Sequence, residues 1–149
     1  MSDSENPGFS VDLQLLDGFR FVVDFGEFGQ LVTDEPEPLG EGKGPNPSKL
    51  LAASVANCLA ASLMFAIRKF KEDPGPVRAR VSGQLERVDR RWRIEAMQVE
   101  INLGNDPEAI PHLDRALSQF EDFCVVTQSV REGIDVSVSV IAPDGRVLQ

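Results

Sequence analysis

Between Leu50 and Ile67, fifteen of eighteen consecutive residues are apolar and none is charged. That approaches the ~20 apolar residues of a membrane-spanning helix. Polar Ser54, Asn57 and Ser62 interrupt the run, much of the rest is small Ala, and strand-like segments lie on both sides. A helix apolar all round in a soluble chain is a central core helix, so no membrane contact is expected. It starts cleanly: Asn46 is a good N-cap, and Pro47 suits the first helical position. It runs to about Lys71, before Pro74-Gly75-Pro76. Such a helix needs cover on every side, and one chain of this length offers only about six strands. The economical solution is a homodimer in which two of these helices share sheets from both chains.

The flanking segments carry the strand period of two. Apolar residues fall on odd positions from Val11 through Leu13 and Leu15, then from Phe19 through Phe21, Val23 and Phe25. Asp17-Gly18 breaks the alternation and is a strong hairpin signal. A third strand is expected at Gln30-Leu-Val-Thr33, after a turn at Gly26-Glu-Phe-Gly29. Prolines and glycines between Asp34 and Gly44 predict an irregular connection.

After the long helix come two strands, Val77 to Val88 and Trp92 to Leu103, joined at Asp89-Arg90-Arg91. In the second, apolar parity switches after Ile94, which predicts a β-bulge near Glu95–Ala96. Asp106-Pro107 opens a helix carrying Ile110, Leu113, Leu117 and Phe120 at spacings of 3, 4 and 3, and reaching Cys124. A short helix from Val125 to Arg131 closes at Gly133. Ile134, Val136, Val138 and Val140 alternate with polar residues in a last half-buried strand. The order βββ-α-ββ-αα-β predicts an α+β fold with antiparallel sheets. Residues 1–9 are expected to form a disordered tail and residues 10–149 a single domain.

A net charge of −9 argues against nucleic acid, whose phosphates need clustered Lys and Arg. The polar, acidic start Met1-Ser-Asp-Ser-Glu-Asn-Pro lacks the basic and apolar regions of a secretory leader. Two cysteines without Cys-x-x-Cys spacing suit a reducing cytoplasm. Cys58, Cys124 and the only histidine, His112, lack metal-motif spacing, so neither metal nor cofactor is expected. His112 is expected on a helix surface.

Cys58 and Cys124 are either a redox pair brought together by the fold or two small core residues. Ser54, Cys58 and Ser62 recur every four residues and form one stripe on the helix, with Asn57 beside it. Such hydroxyls can return hydrogen bonds to the backbone of the preceding turn, or they can line a narrow pocket around a thiol. Cys124 stands near a helix start, where backbone N–H groups favour a thiolate. Glu121 and Asp122 oppose it by like-charge repulsion. A reactive thiolate also needs a cation, and Arg20, Arg68 and Arg131 are the candidates. Composition and spacing do not say which sulfur is the nucleophile.

Two segments carry a resemblance: Gly44-Pro-Asn-Pro-Ser-Lys-Leu-Leu-Ala-Ala-Ser-Val-Ala-Asn-Cys58 and Phe120-Glu-Asp-Phe-Cys124-Val-Val-Thr-Gln-Ser-Val-Arg131-Glu-Gly-Ile. They resemble the two cysteine motifs of the OsmC / organic hydroperoxide resistance family, and with the order of elements the likeness extends over roughly Val11 to Ile141. The resemblance implies an intertwined homodimer with antiparallel sheets wrapped around long central helices. It implies a cytoplasmic, oxidative-stress peroxidase acting on organic hydroperoxides. Cys58 would attack, Cys124 would resolve the sulfenic acid as a disulfide, and a dithiol reductant such as a lipoyl protein would reduce it.

The chain departs from that pattern at two places. Family peroxidases carry a Glu after the Asn-Pro of the helix start, which holds a catalytic Arg; here the position is Ser48. The family Arg comes from the N-terminal strands, where Arg20 is the only arginine, and its parity opposite Phe19 and Phe21 points it to solvent. The expected site is therefore Cys58 and Cys124 with Arg20 as the family's cation, and Ser48, Ser54, Asn57 and Ser62 lining a pocket. The alternative is a non-catalytic dimer of the same fold binding a small apolar ligand.

Overall fold

The computed structural model describes residues 7–149; most of the expected tail, residues 1–6, lies outside them. The chain forms two compact units. One extends to Ala53 and adds Gly83–Met97; the other combines Ser54–Ser82 with Gln98–Gln149.

In the first unit, β1 (Asp12–Asp17), β2 (Arg20–Asp24) and β3 (Gln30–Thr33) form an antiparallel sheet in that order. Leu13 pairs with Val23 and Leu15 with Phe21, and Gly18 turns the hairpin in the left-handed region at φ 54°. A short 3-10 turn at Gly26–Phe28 leads into β3. The irregular connection that follows is built around Asp34, whose carboxylate accepts the backbone N–H groups of Glu35 (2.8 Å), Glu41 (3.2 Å) and Lys43 (3.1 Å). Asp34 itself donates its N–H to the Pro45 carbonyl, drawing the chain back to the helix start.

The long helix, α1 (Pro47–Arg68), begins where the capping signal placed it: the Asn46 side chain accepts the Lys49 N–H at 3.0 Å. By length and composition α1 could cross a membrane, and 39% of its most apolar window is buried within the fold. Within the single chain α1 is covered on one side only, as expected of a helix that one set of strands cannot wrap. Val55, Ala56, Leu59, Ser62, Leu63, Ala66 and Ile67 are buried, whereas Leu51, Ser54, Asn57, Ala61 and Phe65 are exposed.

Strands β4 (Arg78–Val88) and β5 (Arg91–Asn102) form the second sheet. Both residues of their tight turn, Asp89 and Arg90, have positive φ (51° and 69°), the conformation that matches strand twist in a two-residue hairpin.

The helix expected to run from Asp106 to Cys124 is broken into three pieces: a 3-10 turn at Pro107–Ala109, α2 (Leu113–Gln119), and a 3-10 turn at Phe120–Phe123. Pro111 is the cause. A residue before proline is pushed out of the helical region, and Ile110 has φ −127°, ψ 76°. His112 accordingly caps α2 rather than sitting within a helix. Next, α3 (Val125–Glu132) ends at Gly133 with φ 80°, as its sequence indicated.

In the second unit, the core is Leu63, Ala66 and Ile67 of α1 against Ile110 and Ala116, with Ile101, Leu103, Leu113 and Phe120 around them.

The last expected strand is absent as an element. Residues 134–140 are exposed, and among the described residues the pairing in this region is a short C-terminal turn, in which Val140 bonds to Leu148 and Gln149 and Ile141 bridges Val147. Alternating side chains can shape a strand, but its N–H and C=O groups need a neighbouring edge. The architecture is α+β, with antiparallel sheets and one long helix.

Candidate active site

The two cysteines lie in the same compact unit, 66 positions apart in the chain. Cys58 is in the middle of α1, half-buried, and Cys124 is fully buried; both are free thiols. Cys124 precedes α3 as its N-cap, with extended backbone (φ −85°, ψ 99°), because the 3-10 turn Phe120–Phe123 must end before the new helix begins.

Four groups favour the Cys124 thiolate: the Cys58 thiol, the Thr127 hydroxyl, the Thr127 backbone N–H and the Ser62 hydroxyl. Burial pushes the Cys124 thiol up, but these donors outweigh it and hold the pKa below the ordinary cysteine value. In the neutral thiol the direction reverses: Sγ donates to Thr127 Oγ1 at 3.0 Å. Cys124 makes no side-chain capping bond to α3.

The expected repulsion from Glu121 and Asp122 does not decide the direction. Arg131 donates to Glu121 Oε1 at 2.6 Å, which also commits Arg131, one of the three candidate cations. Arg68 stands exposed in the last turn of α1. The influences that lower the Cys124 pKa are hydrogen-bond donors, not a cation.

Of the polar stripe on α1, Ser62 is buried and reaches Cys124, Cys58 is half-buried, and Ser54 and Asn57 are exposed. The stripe therefore grades from the interior outward. Arg20 and Ser48 belong to the first unit. Arg20 does not point freely to solvent: its side chain is only 32% exposed, with Asp17 at 3.9 Å and its charge felt by Asp34. Ser48 is half-buried in the first turn of α1.

Thr127 was not singled out from the sequence. The available signal was its place three residues after Cys124, where the first turn of a helix returns a side chain to the cap. Its second contact, to the Val55 carbonyl at 3.5 Å, joins residues 72 apart and has no sequence signature.

A cluster of two thiols and two hydroxyls, with one sulfur biased towards its anion, is suited to thiol–disulfide chemistry. The model of the family described as OsmC-like protein matches residues 40–139, which include both cysteines. No curated protein matches the chain. Among solved structures, an organic hydroperoxide resistance protein OsmC from Legionella pneumophila, described as a predicted redox protein, is 18% identical with a TM-score of 0.65 over 89% of this chain and 96% of that one. An organic hydroperoxide resistance protein from Elizabethkingia anophelis is 18% identical, TM-score 0.63, over 87% and 94%. An OsmC-like protein from Mycoplasma pneumoniae is 15% identical, TM-score 0.62, over 85% and 89%. At these identities the likeness is one of fold.

Proposed function

The chain belongs to the OsmC-like protein family, and from that premise we propose that it is a thiol-dependent peroxidase that reduces organic hydroperoxides in oxidative-stress defence. The observation that carries the reading is a buried, anion-favouring Cys124 that shares one compact unit with a half-buried Cys58. Two inert core thiols would not need Ser62 and Thr127 directed at one sulfur.

In the proposed cycle the Cys58 thiolate attacks the hydroperoxide. An S–O bond forms as the O–O bond breaks, the alkoxide leaves and takes a proton to become an alcohol, and the sulfur becomes a sulfenic acid. Cys124 then attacks that sulfur. The S–S bond forms, the S–O bond breaks, and hydroxide leaves with the Cys124 proton as water. An external dithiol, such as a lipoyl protein, restores both thiols by exchange and is itself oxidised to a disulfide. The half-buried position of Cys58 favours it as the attacking sulfur, because a fully buried Cys124 is shielded from incoming peroxide.

The working unit is a homodimer, and its site is in the cytoplasm. The exposed apolar face of α1 supports the dimer, since a second copy supplies helix cover. Ser54 and Asn57 lie on that exposed face, where a pocket would be completed between copies. Arg20 remains the candidate for the family's arginine, although Ser48 replaces the Glu that would hold it.

That replacement favours a second reading: a dimer that binds a small apolar ligand without turnover. Peroxide consumption by the reduced protein with dihydrolipoamide, run beside Cys58→Ser, separates the two. Turnover abolished in the variant supports the peroxidase; turnover no faster than that of free cysteine supports the binder. For the roles, Cys124→Ser is expected to accumulate a dimedone-reactive Cys58 after one equivalent of organic hydroperoxide. Labelling at Cys124 in Cys58→Ser at the wild-type rate would reverse them.

A further inference from the structure

Thr127 is 4% exposed, and its hydroxyl has two partners. It accepts the Cys124 thiol proton at 3.0 Å and donates its own to the Val55 carbonyl at 3.5 Å. Val55 lies one helical turn before Cys58 on α1, so one hydroxyl ties the Cys124 sulfur to the stretch of helix that carries its redox partner. A hydroxyl is both donor and acceptor and turns about a single bond. At 3.5 Å the bond to Val55 is long and weak, so little opposes that turn.

We propose that Thr127 is a positioning residue for the resolving step, one that matches both protonation states of Cys124 by redirecting a single hydroxyl proton. While Cys124 is a thiol, the hydroxyl accepts from it and donates to Val55. Once Cys124 loses its proton, the hydroxyl turns and donates to the sulfur anion. Val55 is not orphaned by this turn, because its carbonyl sits inside α1, where the ladder bond from residue i+4 remains. No buried polar group is left unpaired in either state, so the change carries no burial penalty. The backbone N–H of the same residue also favours the anion, so Thr127 supports the thiolate twice.

The inference rests on the peroxidase reading, in which Cys124 attacks the Cys58 sulfenic acid. Overall the S–S bond forms, the S–O bond breaks, and the Cys124 proton leaves with the hydroxide as water. Thr127 exchanges no atom with this reaction; it holds the attacking sulfur in place and favours its anion.

The test compares full-length wild type, Thr127→Val and Thr127→Ser. Valine keeps the branched shape and removes the hydroxyl; serine keeps the hydroxyl. After one equivalent of organic hydroperoxide, mass spectrometry of quenched samples follows sulfenic acid and disulfide separately. Thr127→Val is expected to form the Cys58 sulfenic acid at the wild-type rate and the disulfide roughly tenfold more slowly near neutral pH. The pH midpoint of disulfide formation moves up by about one unit, the tenfold change expected for one unit of pKa. Thr127→Ser restores both. Disulfide formation by Thr127→Val at the wild-type rate and midpoint would overturn the inference.

A wild type that never forms sulfenic acid would instead sink the peroxidase reading. Thr127 is then judged by the ultraviolet thiolate titration of Cys124 in the Cys58→Ser background. There Thr127→Val must raise the midpoint and Thr127→Ser must not; an unchanged midpoint overturns it. Circular dichroism of each variant separates lost folding from lost hydrogen bonding.

Discussion

Glu72 holds His112 twice: one carboxylate oxygen accepts the His112 backbone N–H at 2.9 Å, and the other lies 2.5 Å from Nδ1. The imidazole also stacks on Phe70, with ring centroids 4.7 Å apart and planes within 4°. Residues just beyond α1 thereby fasten the start of α2, where the Pro111 break leaves backbone N–H groups without helical partners. Burial pushes the Glu72 carboxyl up, but the His112 contacts prevail and hold it below its usual 4.5. A depressed carboxyl pKa stabilises the fold above the unfolded value, and that stability disappears as pH falls through the folded one. Glu72→Ala is therefore expected to melt lower than wild type at neutral pH, with the gap closing as pH drops through 4.5 and below. Thermal melts of both proteins across that range check it; a gap that persists in acid contradicts the pairing.

The Asp34 loop follows the same sign from a different cause. The Lys43 N–H leads in holding its carboxyl below 3.8; burial opposes, and the Glu35 and Glu41 N–H groups and Arg20 assist. Asp34→Asn is expected to lower the melting temperature, because an amide NH2 placed at the Oδ2 position would face the N–H groups of Glu41 and Lys43 donor to donor. The loss should be full above 3.8 and shrink in stronger acid as the wild-type carboxylate itself protonates.

A side chain at Gly40 would damage the same loop. A Cβ there would stand 2.3 Å from the Glu35 carbonyl oxygen and 2.5 Å from an Asp34 carboxylate oxygen, which forces backbone to move. Gly40→Ala is expected to lower the denaturation midpoint and Gly42→Ala to act through its positive φ alone, since its Cβ would meet open space. Equal effects from steric contact at both positions would be inconsistent with this geometry.

In the core of the second unit, Ile67 has no exposed surface and lies with Ile110 and Ala116. Ile67→Ala is expected to cost roughly 2–5 kcal/mol, the range for truncating a buried aliphatic side chain where the site cannot collapse. Urea unfolding followed by circular dichroism reads this directly.

Ala61 tests the dimer. It sits exposed midway along α1, on the face that includes Ser54 and Phe65. Arginine there would cost a monomer almost nothing, as surface substitutions usually fall within about 0.5 kcal/mol. If a second copy covers this face, Ala61→Arg converts a sedimenting dimer to monomer or prevents folding. A wild type that sediments as a folded monomer at micromolar concentration ends the dimer reading.

Signals confined to a few neighbouring residues were legible without coordinates. Asp17-Gly18 turned the first hairpin, Asn46-Pro47 started α1, and Gly133 ended α3, because caps and turns depend on atoms within about four positions. Pro111 was equally local, but the apolar spacing of Ile110, Leu113, Leu117 and Phe120 outweighed it in the reading, and the helix is broken there. The alternation over residues 134–140 predicted a half-buried strand, but these residues are exposed and form none, because side-chain parity does not supply the neighbouring edge a strand needs. At the site, the cysteine motifs marked which residues to watch. Tertiary structure alone made Cys124 the buried sulfur and Cys58 the half-open one, turned Ser62 inward, and brought Thr127 to a carbonyl 72 residues away. Sequence spacing governs contacts along one helix or strand. Which elements then meet is decided by how their apolar faces pack together, and that packing sets the hydrogen-bond donors around a thiol.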